Sequence, residues 1–226
     1  MSEAAPHTLS VVDADLHQLE RGINRMAASA RAQLARLLAA LRRGAADELA
    51  AVIADDAEID AWRRQLDDQA IALIARLQPL ARDLRVIVAA QRVARELERV
   101  GDHVKRMAKR LRQMQLPLPA EIVSRLQWIG GQAQSLLSQA VEAFQRSDAA
   151  GAERAWADDA ELDRMYRGLI AELLARMQKE PIWVETGVGL VMVAKSLERI
   201  GDHATNIAEE ARCVAIGERP PGDRRG

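Results

Sequence analysis

The sequence is poor in the residues on which many binding and catalytic sites depend. Among 226 residues there is one cysteine, Cys213. A single thiol excludes an internal disulfide framework and a cysteine-based zinc site, and it fits a reducing compartment. Aromatic residues make up 3% of the chain, and runs of β-branched residues are scarce. Ala, Leu, Arg, Glu and Asp dominate instead, a composition that reads as all-helical. The net charge of -1 leaves no basic field suited to a nucleic-acid backbone. The longest apolar run, near Val188 to Ala194, falls far short of the ~20 residues that a membrane span needs. The first residues, Met-Ser-Glu-Ala-Ala-Pro, show neither a basic start nor an apolar stretch of a signal peptide. No Ser-His-Asp order, phosphate loop or dinucleotide-binding glycine pattern is found. These absences point to a cytoplasmic chain that meets no nucleic acid and reaches a membrane only through partners.

What the sequence does contain is a repeat. Glu98-Arg99-Val100-Gly101-Asp102-His103 returns as Glu198-Arg199-Ile200-Gly201-Asp202-His203, and Asp55-Asp56-Ala57-Glu58-Ile59-Asp60 returns as Asp158-Asp159-Ala160-Glu161-Leu162-Asp163. Offsets of 100 and 103 residues, nearly the same distance, mark two copies of one structural unit. Apolar residues at helical spacing predict three helices per unit. The first three run from about Leu9 to Arg42, Asp47 to Gln78 and Pro79 to Gln115. The second three run from about Ala120 to Arg146, Ser147 to Lys179 and Pro181 to Ile216. Prolines and glycines punctuate the boundaries. The expected fold is therefore all-α, a tandem repeat of two three-helix bundles over residues 9–116 and 117–218. The two sets of helices are equally compatible with one merged six-helix body. Residues 1–8 and 219–226 are expected to be loose tails.

Each unit carries two carboxylate pairs at i, i+4: Asp56/Asp60 and Glu98/Asp102, then Asp159/Asp163 and Glu198/Asp202. At 100° per residue, Glu98 and Asp102 fall on the face away from the apolar stripe of Leu97, Val100, Val104 and Met107. Asp56 and Asp60 share one flank of the preceding helix. Two pairs can thus meet on one bundle surface if these helices are antiparallel neighbours. Two readings are open: a solvated acidic face, or a site for a cation that relieves the like-charge repulsion within each pair. His103 and His203 lie on a different facet, where a packing role is the plain reading. Gly101 and Gly201 sit within helices at a cost of about 1 kcal/mol each, which close approach of a helix or of a ligand would explain. Arg99 and Arg199 read as partners for neighbouring carboxylates.

The run from Ser196 to Glu210, Ser-Leu-Glu-Arg-Ile-Gly-Asp-His-Ala-Thr-Asn-Ile-Ala-Glu-Glu, resembles the signature of the PhoU family of phosphate-signalling regulators. Gln78 to Arg85, Leu97 to His103 and the Asp-x-x-x-Asp pairs complete the resemblance, which spans about Leu9 to Glu218. It implies two three-helix bundles, a homodimer and no enzymatic activity. It also implies multinuclear clusters of divalent or ferric metal (iron, zinc, manganese or magnesium) on Asp56, Asp60, Glu98, Asp102, Asp159, Asp163, Glu198 and Asp202. Asp83 and Asn206 are further candidate ligands. The implied role is negative regulation of the phosphate-starvation response. In it the chain links the ATPase subunit of the high-affinity phosphate transporter to a sensor histidine kinase, and limits phosphate uptake. Arg106 and Lys109 stand where the second unit has Asn206 and Glu209, which weakens the first site, and Asp83 has Trp183 as its counterpart. A di-iron enzyme is disfavoured, because no glutamate has a histidine at i+3. A metal-free helical scaffold is the remaining alternative.

Overall fold

The computed structural model describes residues 6–79, 81–114 and 118–217, with side chains from Asp15 onward apart from those of residues 46 and 81. Six long helices carry the chain: α1 (Pro6–Arg43), α2 (Ala46–Leu77), α3 (Ala81–Arg112), α4 (Ala120–Arg146), α5 (Ala149–Lys179) and α6 (Val184–Ile216). Their ends follow local chemistry. α2 begins with Asp47 and Glu48 and ends with Arg76, while α3 begins with Asp83 and ends with Lys109, Arg110 and Arg112. Both arrangements complement the helix dipole. Gln78, Ser147 and Gly217 take up the left-handed conformation that stops a helix after its last turn. Several boundaries differ from the expected ones. α3 spans Ala81–Arg112 rather than about Pro79 to Gln115. α1 starts at Pro6 rather than near Leu9, because proline suits a first helical turn. Pro181 opens a short 3-10 turn (Pro181–Trp183) that leads into α6 rather than opening α6 itself. The expected tail 219–226 and residues 1–5 lie outside the described residues.

Helices α2, α3, α6 and α5 pack side by side in that order. α1 backs α2 and α3, α4 backs α5 and α6, and α1 touches α4. Helices consecutive in the chain run antiparallel within each unit, and so do the α3–α6 and α1–α4 pairs that join the units. Asp15 meets Arg76 and Arg36 meets Asp55 between α1 and α2. Along the α3–α6 seam, Arg92 faces Glu210 at one end and Met114 lies against Gly189 at the other. Each unit keeps its three helices, yet one continuous buried cluster runs from Leu19 through Val100 and Leu137 to Val214. The two bundles therefore share a core across α3–α6 and α1–α4. Among the described residues no helix is long and apolar enough to cross a membrane.

Candidate metal centre

The carboxylate pairs gather in the α2–α3 and α5–α6 grooves. Both gatherings depend on a glycine. A Cβ on Gly101 would lie 3.0 Å from Ile59 Cδ1 and 3.4 Å from Asp56 Oδ1. A Cβ on Gly201 would overlap Leu162 Cδ2 and lie 2.9 Å from Asp159 Oδ1. Close helix approach, then, is what these mid-helix glycines provide. It brings Asp56 and Asp159 against the backbones that carry Glu98/Asp102 and Glu198/Asp202.

The electrostatics of the two gatherings differ. Asp56 is buried, not merely on a flank as its angular position suggested, with 3% exposure. Lys105 Nζ donates to its Oδ2 at 2.5 Å, and this bond holds the Lys105 ammonium above its usual pKa. Arg106 pairs with Asp102 at 3.3 Å. The Glu98 carboxyl is raised by burial and by the charges of Asp102 and Asp60, against which Arg63 and Arg99 act. In the second groove Thr205 stands where Lys105 stands in the first, and its hydroxyl donates to the Asp202 backbone carbonyl at 2.7 Å. Among the described residues no lysine pairs with Asp159. Burial, then the charges of Asp163, Asp202 and Glu198, push the Asp159 carboxyl up to about 6. Lys195 donates to Glu198 Oε1 at 2.6 Å, and Arg199 to Asp202 Oδ2 at 2.8 Å. Glu198 Oε2 is buried with no hydrogen-bond partner among the described residues, although Arg199 Nε stands 3.9 Å from it.

Two expected ligands stand elsewhere. Asp83 shares the unbroken α3 with Glu98, and fifteen residues of α-helix separate them by about 22 Å. It cannot join the first groove. Asn206 faces the seam, where its amide donates to Glu96 Oε2 at 2.9 Å. The same oxygen accepts from His203 Nδ1 at 2.7 Å. Burial raises the Glu96 carboxyl, but these two bonds outweigh it and hold the group low. His103 and His203 meet across the seam with ring centroids 5.3 Å apart, so they pack against each other there, with His203 bonded to Glu96 rather than to the groove carboxylates. Burial, then the nearby His203, Arg106 and Arg199, lower His103 to about 4. The seam network had no signal in either helix alone. The Lys105–Thr205 difference was visible by laying one repeat on the other.

Among the described residues no three His, Cys, Asp or Glu side chains are grouped as a metal ion requires. The present rotamers instead turn several of these carboxylates to neighbouring cations. The donor chemistry nevertheless separates the grooves. In the first, a lysine already neutralises the buried aspartate. In the second, an ionised Asp159 has three carboxylates beside it and lacks the lysine, a combination that suits a hard cation held by oxygen ligands. Asp159, Asp163, Glu198 and Asp202 would hold it, and it would supply positive charge to a surface otherwise strained by repulsion.

These features define a class: a duplicated six-helix protein with an acidic groove in each half. The comparisons narrow it. The model of the PhoU domain matches residues 23–111 and 126–211. The phosphate-specific transport system accessory protein PhoU homolog of Caulobacter vibrioides is 35% identical over 96% of this chain and 95% of its own. That of Rhizobium meliloti is also 35% identical, over 96% of this chain and 92% of its own. The crystal structure of PhoU from Pseudomonas aeruginosa superposes with a TM-score of 0.84 at 30% identity, covering 91% of this chain and 99% of that one. PhoU from Streptococcus pneumoniae, at 24% identity, shares the fold with a TM-score of 0.85. The chain belongs to the PhoU family.

Proposed function

We propose that this chain is a non-enzymatic accessory protein of a phosphate-specific transport system that represses the phosphate-starvation response. The observation that carries this reading is its end-to-end correspondence with relatives that bear the accessory-protein name. In this reading the chain works in the cytoplasm as a homodimer. It docks the transporter's ATPase subunit and a sensor histidine kinase, holds the kinase off when phosphate is plentiful and limits uptake. Metal in the second groove tunes these contacts, because a charged surface that gains cations changes its affinity for partner states. Iron, zinc, manganese and magnesium all accept oxygen donors of this kind.

A phosphatase reporter of the starvation response tests the proposal at high phosphate. The strains are a deletion, and the same deletion carrying Glu198→Ala/Asp202→Ala protein at normal abundance. Derepression in both is the expected outcome. Derepression in the deletion alone would leave the adaptor role standing without the metal. Repression in both would remove the proposed role.

A further inference from the structure

The α1–α2 groove of the first unit, on the far side of α2 from the carboxylates, has features of its own. Gln65 and Gln69 lie about 180° and 220° around α2 from Asp56, at 3.6 residues per turn. With Arg21, Gly22, Arg25 and Trp62 they line a groove of about 310 Å³. Arg21 and Arg25 are exposed and have no ion pair or hydrogen bond among the described residues. Trp62 is half-buried, packed on the core from one side and lining the groove from the other.

The second unit provides an internal control. The buried positions of α1 and α4 correspond at an offset of 103: Leu19 with Ile122, Ile23 with Leu126, Met26 with Ile129 and Leu34 with Leu137. At that offset Gly22 corresponds to Arg125, and Gln69 to Glu172. In the second unit these two side chains form an ion pair across the groove, at 3.4 Å. In the first unit the long side chain is reduced to a glycine and the carboxylate to an amide. Trp62 replaces Met165, and Arg25 replaces the exposed Trp128. Together these exchanges clear the space, remove the negative charge and add an aromatic wall.

We propose that this groove binds a nucleotide. Two arginines at i, i+4, free of carboxylates, suit a phosphate group, which they can meet with paired N–H donors. An indole wall offers a π surface to a base. The glutamine amides present both donors and acceptors, as a base edge requires. The volume lies at the small end of ligand pockets and suits a single nucleotide rather than a polymer. The site is independent of the carboxylate grooves and of the regulatory reading above.

Isothermal titration of the full chain with AMP, adenosine and inorganic phosphate tests the proposal. EDTA is present throughout, so that no metal bridges phosphate to a carboxylate groove. AMP is expected to bind at least about tenfold more tightly than either fragment, the difference one well-made contact supplies. It should also shift the indole N–H resonance of Trp62, assigned through Trp62→Phe. Arg21→Gln/Arg25→Gln should abolish the heat of AMP binding. Gln69→Glu, which restores the carboxylate found at Glu172, should weaken it. Circular dichroism melts identify any variant that has lost its fold, and the wild-type resonance shift stands apart from the variants. The absence of AMP binding at millimolar concentration would overturn the proposal. So would phosphate binding as tight as AMP binding, or AMP binding untouched in folded forms of both variants.

Discussion

The two grooves are built alike and charged differently. Both set an aspartate of one helix against a glycine of the next, between a glutamate and an aspartate one turn apart. In the first, the buried Asp56 is answered by Lys105. In the second, Thr205 stands at the position equivalent to Lys105, and Asp159 shares its surroundings with three carboxylates. A duplication thus keeps the frame while one exchange decides whether the counter-charge is covalently supplied. The lesson concerns buried ion pairs. A lysine fixed against the buried aspartate settles its electrostatics permanently, whereas an aspartate without one remains open to an exchangeable cation.

The comparison can be broken most forcefully at Lys105. Lys105→Ala leaves Asp56 buried without its cation and should cost about 3 kcal/mol of stability, measured by urea unfolding with chelator present. Thr205→Ala, its counterpart, should cost far less. A loss of equal size in both variants would show that Lys105 contributes nothing special.

Metal provides the next test. At a concentration one hundred times its Kd, a cation in the second groove should stabilise the protein by about 2.7 kcal/mol. Thr205→Lys should remove that gain by placing a lysine where the first unit has one. A gain unchanged in that variant would move the metal elsewhere.

The glycines sharpen the comparison on geometric grounds. Gly201→Ala drives a methyl into Leu162 and should destabilise by about 1–2 kcal/mol. Gly101→Ala meets Ile59 at 3.0 Å, and its gain of about 1 kcal/mol in helix propensity should leave the net effect near zero. Thermal melts of the two variants read the difference directly.

The smallest effect is one of pH. The Asp159 carboxyl stands near 6 in the fold against 3.8 ordinarily. Between these values the folded chain binds more protons than the unfolded one, so this group's contribution makes stability fall as pH rises from about 4 to about 6. Solvent screening reduces the amount to about 1 kcal/mol. Asp159→Asn should flatten that part of the profile in metal-free protein. A profile that keeps its slope would place the charge burden on another group.

Much of this arrangement was legible in the sequence. The repeat fixed the helix count, and Pro119, Arg146 and Lys179 marked helix ends within a residue or so of where they lie. The four carboxylate pairs could be matched helix to helix from their offsets alone. What was not legible depended on partners from distant helices. Asn206 follows Asp202 by one helical turn and looks like a fifth oxygen donor, yet Glu96, on the other unit, takes its amide. The burial of Asp56 depends on Gly101, which lies forty-five positions away (56 to 101). Asp83 is a different case, since the length of one unbroken helix already separated it from the carboxylates it was meant to join.

The antiparallel seam between α3 and α6 also bears on how the chain is made. α3 is finished at Arg112, but the helix that covers its seam face is complete only at Ile216. At bacterial-type elongation of about 5–20 residues per second, those 104 intervening residues take roughly 5–20 s. Throughout that interval the nascent first unit presents Glu96, His103 and the adjoining apolar face of α3 to the cell without their partner. The newborn protein thus passes through a half-built stage whose exposed side is the surface where its two halves later join. Its demand on chaperones should be set by the distance along the gene between these two helices.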